Sequence, residues 1–141
     1  MKKIVNVAGN IIAAVFAAIG VLCISVTITV MFRPLYYFDI DYLDIPQMSG
    51  MSETVIRANY DVLIDYNLLG GPSELNFPDL IMSQQGRIHF EEVKDIFIFM
   101  QIFSIAAVIL LVLWIVAWVK KKSLSFKWMK FTGIVIAIIA S

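Results

Sequence analysis

The single histidine of the chain, His89, lies in the stretch Met82-Ser83-Gln84-Gln85-Gly86-Arg87-Ile88-His89-Phe90-Glu91-Glu92-Val93-Lys94, its densest group of titratable side chains. On a helix Glu92 and Val93 follow His89 by three and four residues and share its face, while Glu91 stands one turn from both Arg87 and Asp95. A carboxylate at that spacing would raise the imidazole pKa and orient the ring, which is what a general base requires. The same mixture of charges also describes a solvated helix with ordinary ion pairs and an incidental histidine. The common soluble-enzyme signatures are absent: there is no GxGxxG, no GxxxxGK[ST], no HExxH, no CxxC and no GxSxG. With one histidine and one cysteine a closed zinc site is not expected, and neither metal nor cofactor is called for.

The elements that must position this group are set by composition. A chain of 141 residues that is 60% hydrophobic, 16% charged and of mean hydropathy +0.86 has too little polar surface for a soluble globule, so its solvent must be largely lipid. The apolar residues gather in one run from Ile4 to Phe32 and another from Ile96 to Val119, neither carrying a formal charge. Each reaches the length of about 20 residues that a helix needs to cross the hydrocarbon core. A third run opens at Phe131 and stops at Ser141, about half a span. A helix ending midway through lipid would leave its last carbonyls unpaired, so the chain reads as the N-terminal part of a longer protein.

Charge placement supplies an orientation. All 11 acidic residues, Asp39 to Asp95, lie between the first two runs, where only Arg33, Arg57, Arg87 and Lys94 oppose them, leaving that segment at −7. The other cations, Lys2, Lys3, Lys120, Lys121, Lys122, Lys127 and Lys130, flank the runs on the opposite side. Lysine-rich short flanks stay cytoplasmic, which places the N-terminus inside and the acidic segment outside. A signal peptide has a shorter apolar core, so the first run is read as a span. Cys23 is read as a small buried hydrophobe, because the bulky Leu22 precedes it and a lone cysteine forms no intramolecular disulfide.

The expected fold is therefore all-α: a helical transmembrane protein with two full spans plus the start of a third, and a partly helical extracellular loop. Residues 1–32 form the cytoplasmic N-terminus and first span, 33–95 the acidic loop, 96–119 the second span, 120–130 a basic connection and 131–141 the start of a third helix. Arg33-Pro34 is expected to stop the first helix, with Tyr36, Tyr37 and Tyr42 as an interfacial aromatic belt. After an irregular stretch containing Pro46 and Gly50, a helix is predicted from Glu53 to Leu69, N-capped by Ser52. Its apolar face carries Val55, Ile56, Tyr60, Leu63 and Ile64, and its other side Arg57, Asp61 and Asp65. Gly70-Gly71-Pro72 ends it. A second helix should start near Ser83 and run unbroken into the membrane, lifting His89 to headgroup depth, with Gln101 bonding to another helix.

These residues also carry a resemblance. The stretch Arg57-Ala58-Asn59-Tyr60-Asp61-Val62-Leu63-Ile64-Asp65-Tyr66, then Phe77-Pro78-Asp79, Met82-Ser83 and the run from Gly86 to Lys94 resemble the first outer loop of a bacterial family of small membrane proteins. That family includes the lipoprotein intramolecular transacylase of Gram-positive bacteria. The specific part is His89-x-x-Glu92-Val93-Lys94 with Ser83 six residues before the histidine. The resemblance implies four transmembrane helices and two outer loops, each supplying a histidine; His89 corresponds to the first, and the second has no counterpart in this chain. Gln84 stands where members commonly have an acidic residue. The implied activity moves an acyl chain from the diacylglyceryl group of a lipoprotein's N-terminal Cys to its α-amino group, without a cofactor. On that reading His89 and Glu92 are catalytic, and Ser83, Arg87 and Lys94 bind substrate. The implied partners are a diacylated lipoprotein and membrane lipids, with no nucleic acid, at the bacterial cell membrane. The rival reading is a non-enzymatic membrane protein whose extracellular loop binds a partner; His89→Ala would leave it unaffected. A transporter is disfavoured because no charge lies inside a span.

Overall fold

In the computed structural model, which describes residues 2–121 and 127–139, every regular element among the described residues is a helix. In order they are α1 (Lys2–Met31), α2 (Arg33–Tyr42), α3 (Ile45–Ser49), α4 (Glu53–Asn67), α5 (Gln84–Lys121) and α6 (Lys127–Ile139). The expected all-α membrane architecture is thus present. Within α1 the stretch Val7–Met31, and within α5 the stretch Gln84–Ala117, are long and apolar enough to cross a bilayer. Their large side chains face outward, with Ile12 70% and Leu113 58% exposed, as suits surfaces whose solvent is lipid. The middle of the lysine-rich connection, residues 122–126 including Lys122, and positions 140–141 lie outside the described residues.

The helices form two compact units, residues 26–101 and residues 1–25 with 102–141. In the second of these, small side chains let helices approach closely. Ala14 and Ala18 are fully buried, and a methyl group built on Gly20 would lie 2.9 Å from Cβ of Ala107 on α5. Phe16 and Phe103 pack with ring centroids 4.7 Å apart, and Thr132 of α6 donates weakly to the Ala14 carbonyl at 3.5 Å. Cys23 is buried and unbonded, as expected of a small hydrophobe.

In the unit of residues 26–101, α1 gives way to α2 after the single residue Phe32. Pro34 explains the break: it has no N–H to donate to the preceding turn, yet its fixed φ suits the first turn of a new helix. The sequence reading of Arg33-Pro34 as a stop is right, but the chain beyond it is not irregular. Short helices α2 and α3 follow, joined at Asp44, whose φ of 50° lies in the left-handed region that Asp tolerates better than most residues. Gly50, at φ 71°, ends α3. Ser52 caps α4 as predicted, its side chain accepting from the Val55 N–H at 3.3 Å.

α4 stops two residues short of the expected Leu69. The Gly71 N–H donates to the Leu68 carbonyl at 2.8 Å, and Gly70 takes φ 81°. A side chain on Gly71 would lie 2.1 Å from the Asp65 carbonyl, so this turn requires glycine. α5 then runs without interruption from Gln84, beyond the expected second span of 96–119 at both ends. Its 38 residues amount to about 57 Å, well over the roughly 30 Å hydrocarbon core, so its first turns must project out of the membrane.

Candidate functional site

The first turn of α5 is built by Ser83. Its hydroxyl accepts from the Gly86 N–H at 3.0 Å and its carbonyl from the Arg87 N–H at 3.0 Å. The helix so started holds Arg87, His89, Glu91 and Glu92 in exposed positions. Of the residues singled out by sequence, Ser83 therefore works as an N-cap, while His89 and Glu92 share a helix face as expected. Among the described residues no hydrogen bond or ion pair joins those two side chains. The helix rise from His89 to Ile96 sets the imidazole about 10 Å above the start of the apolar run.

Lys94 faces inward instead. Its ammonium donates to the Pro72 carbonyl and lies over the Tyr66 ring, 4.2 Å from the centroid. It thus ties the turn after α4 to α5, a cation–π contact adding to the hydrogen bond. Seven residues on, Gln101 makes a second tie: Nε2 donates to the Asn67 carbonyl at 2.8 Å and to Phe97 at 3.1 Å, while Oε1 accepts from the Leu69 N–H at 2.9 Å. The predicted bond to another helix is therefore made, and it satisfies backbone groups that the end of α4 leaves open.

The third support comes from α2. Arg33 bridges Asp61, at 3.0 Å, and Asp65, while the Tyr37 hydroxyl also donates to Asp61. Arg57 lies over the Tyr37 ring at 4.4 Å and pairs with Glu53, and Tyr36 stacks on Tyr60 at 4.0 Å. Burial opposes the Arg33 charge, but the hydrogen bond and charge of Asp65, joined by Asp61, hold its pKa above the ordinary value. The Tyr37 hydroxyl is raised by its bond to Asp61, with burial and the Asp61 charge adding. Tyr66 is raised first by burial and then by Glu91 and Asp95, which couples the end of α4 to the acidic side of α5. Tyr36 and Tyr37, expected in an interfacial belt, also pack against α4, and the polar side of α4 bonds to α2 while staying partly exposed.

In the same unit lies an open groove of about 550 Å³, lined among others by Tyr60, Leu63, Phe77, Ile81 and Phe90, with Ser83 and Gly86 at the start of α5. Phe77 meets Phe90 edge-on with centroids 5.9 Å apart, and the His89 ring stands 5.9 Å from Phe90, tilted by 55°. The groove is wide enough for a lipid-sized ligand, and the imidazole stands beside Phe90, one of its wall residues, while His89 itself does not line it. Asn59 also lines the groove; its Nδ2 donates to the Val55 carbonyl at 2.8 Å, and its buried Oδ1 has no partner among the described residues. Sequence reasoning missed Asn59, although an amide between Ile56 and Leu63 on an otherwise apolar face was a visible signal. No group of three or more His, Cys, Asp or Glu suited to a metal ion occurs among the described residues.

Comparisons with known proteins point the same way. A family model described as lipoprotein intramolecular transacylase Lit matches residues 11–141. The membrane-integral lipoprotein intramolecular transacylase Lit of Bacillus cereus has a solved structure that is similar at 32% identity and TM-score 0.80, covering 92% of this chain and 60% of that one. Two variants of that Bacillus cereus protein, with a histidine replaced by arginine or by alanine, match at 30% identity and TM-score 0.82, covering 97% of this chain. The chain spans about 60% of the length of these solved structures. No curated protein sequence matches it.

Proposed function

Because the chain belongs to the lipoprotein intramolecular transacylase family, we propose that it is the part of a membrane acyltransferase that carries the first catalytic histidine, acting on lipoproteins bearing a diacylglyceryl group on their N-terminal Cys. The observation that carries this reading is His89 beside Phe90, a wall residue of an apolar groove, about 10 Å along α5 from the start of the apolar run. A diacylated lipoprotein presents its ester and its α-amino group at that depth, since its acyl chains are anchored in the leaflet.

The reaction needs a proton carrier more than a reagent. The α-ammonium must first lose a proton to the medium, and the neutral amine then attacks the ester carbonyl carbon. As the C–N bond forms, the imidazole of His89 takes the remaining surplus proton. As the C–O bond breaks, the imidazolium gives that proton to the departing glyceryl oxygen. The products are an amide on the Cys nitrogen and a free glyceryl hydroxyl, so atoms and charge balance with no further reactant. Donor and acceptor sit in one molecule, and holding them together supplies much of the rate.

In this scheme Glu92, one turn from His89, stabilises the imidazolium. Arg87, exposed on the same projecting part of α5, contacts headgroups or the developing oxyanion, as does Lys94 if it exchanges its present bonds. Ser83 contributes by starting the helix that presents His89 and by lining the groove. The groove takes one acyl chain of the substrate. A second histidine, from a loop that residues 1–141 do not include, is expected to complete the site. The N-terminus is cytoplasmic and residues 33–95 are extracellular, on the strength of the lysine flanks and the acidic segment.

The test is reconstitution of the purified full-length protein with a synthetic diacylated lipopeptide. Conversion to an N-acyl, S-monoacyl product is expected, and no conversion is expected when the lipopeptide's α-amino group is blocked by acetylation, which removes the acceptor. A lipopeptide recovered unchanged beside a folded protein would refute the assignment.

A further inference from the structure

Helix α2 has two apolar sides, and α4 covers only one of them. Ile40 is fully buried, Tyr36 stacks on Tyr60 and Tyr37 bonds to Asp61. The opposite side carries Leu35, Phe38 and Tyr42 at the three- and four-residue spacing of one helical stripe. All three are exposed, Phe38 at 61% and Tyr42 at 73%, and the two rings stack on each other with centroids 5.5 Å apart. We propose that this stripe is a docking surface for the lipid leaflet, seated at the boundary between headgroups and acyl chains, and that it fixes the height of the groove above the membrane.

Three observations select lipid as the occupant. The stripe follows closely on exposed apolar residues of the preceding span, Ile28 and Met31, with only the exposed Phe32 between the two helices. A helix that starts one residue after a span has no length of chain with which to leave the interface. The composition is that of interfacial anchors, aromatic and aliphatic together, with a phenol at the far end. Finally, Asp39 and Asp41 border the stripe on its two sides, where the carboxylates of a helix lying in the interface plane reach water and headgroups. Through Arg33, Asp61 and Asp65 the seated helix holds α4, whose C-terminal end is tied to α5 by Lys94 and Gln101. The leaflet thus sets the level at which α4 and the groove stand, independently of which reaction is carried out there.

Nitroxide accessibility tests this. The full-length protein carrying Cys23→Ala and a spin label at Phe38→Cys, or in a second variant at Tyr42→Cys, is reconstituted in vesicles of phosphatidylglycerol and phosphatidylethanolamine. A label at Glu74→Cys, an exposed loop position, serves as the aqueous reference. The oxygen-to-nickel-chelate accessibility ratio at 38 and 42 should exceed that at 74 several-fold and fall below that of a label at Leu113→Cys within the span. A ratio equal to that at position 74 would place the stripe in water and overturn the proposal. So would labels closed to both reagents, because the stripe would then be covered by protein.

Discussion

Gln101 shows how much one polar side chain near the end of an apolar helix can hold. Its amide makes bonds to Asn67, Phe97 and Leu69, one to the last residue of α4 and one to the backbone just beyond it. Gln101→Leu keeps the volume and removes these partners, leaving a carbonyl and an N–H uncompensated at the helix end. The expected cost is about 1–3 kcal/mol, read as a lowered midpoint of thermal unfolding in detergent, whereas a surface glutamine would shift it little. Tyr37 makes a prediction in pH. Its folded pKa is raised above 10.0, so the bond to Asp61 contributes stability that is fully present below pH 10.0 and lost as pH rises through the folded value. Alkaline unfolding followed by circular dichroism should therefore lose part of its dependence in Tyr37→Phe above pH 10, while the two proteins run parallel below it. His89, Ser83 and Gln101 were legible in the sequence because each announces itself by type and local position. Tyr66 was not, since what makes it notable is the Lys94 ammonium brought over its ring from α5.

At the scale of elements, the same contrast separates α4 from α2 and α3. A serine cap, a three- and four-residue apolar spacing and a Gly-Gly-Pro terminator are all local, and they define α4 to within two residues of its observed end. Pro34 reads equally well as the stop of one helix and the start of the next, and helices of ten and five residues are too short to show a period. What fixes them is tertiary: Arg33 and Tyr37 reaching two aspartates on α4. The partial burial of Asp61 follows from this, since Arg33 and Tyr37 of α2 both bond to it. Glycines at two places should behave oppositely. Gly71→Ala would drive a methyl group into the Asp65 carbonyl, and the turn must open, at about 1–3 kcal/mol. Gly9→Ala, inside α1 with nothing within 4 Å, should instead be neutral or stabilise by up to about 1 kcal/mol through helix propensity. Paired denaturation of the two variants checks the contrast, and equal shifts would contradict it.

For the whole molecule, lipid as solvent explains both the composition and the outward-facing apolar side chains, and it was readable from run length alone. The charge asymmetry behind the proposed orientation predicts that a cysteine at Glu74, in a Cys23→Ala background, reacts with a membrane-impermeant maleimide in intact cells, while one at Lys120 reacts only after permeabilisation. The reverse pattern would invert the topology and remove His89 from the outer leaflet, where the substrate is proposed to lie. The proposed reaction rests on that one imidazole beside the groove's wall residue Phe90. Its most direct test is mass spectrometry of lipoprotein N-termini from cells that lack N-acylation enzymes and express the full-length protein or its His89→Ala variant. The account predicts N-acyl, S-monoacyl termini with the unmutated protein and diacyl termini with the variant, a loss of about 10²-fold or more in product at equal membrane abundance. Equal yields of the N-acyl product from both proteins would contradict it.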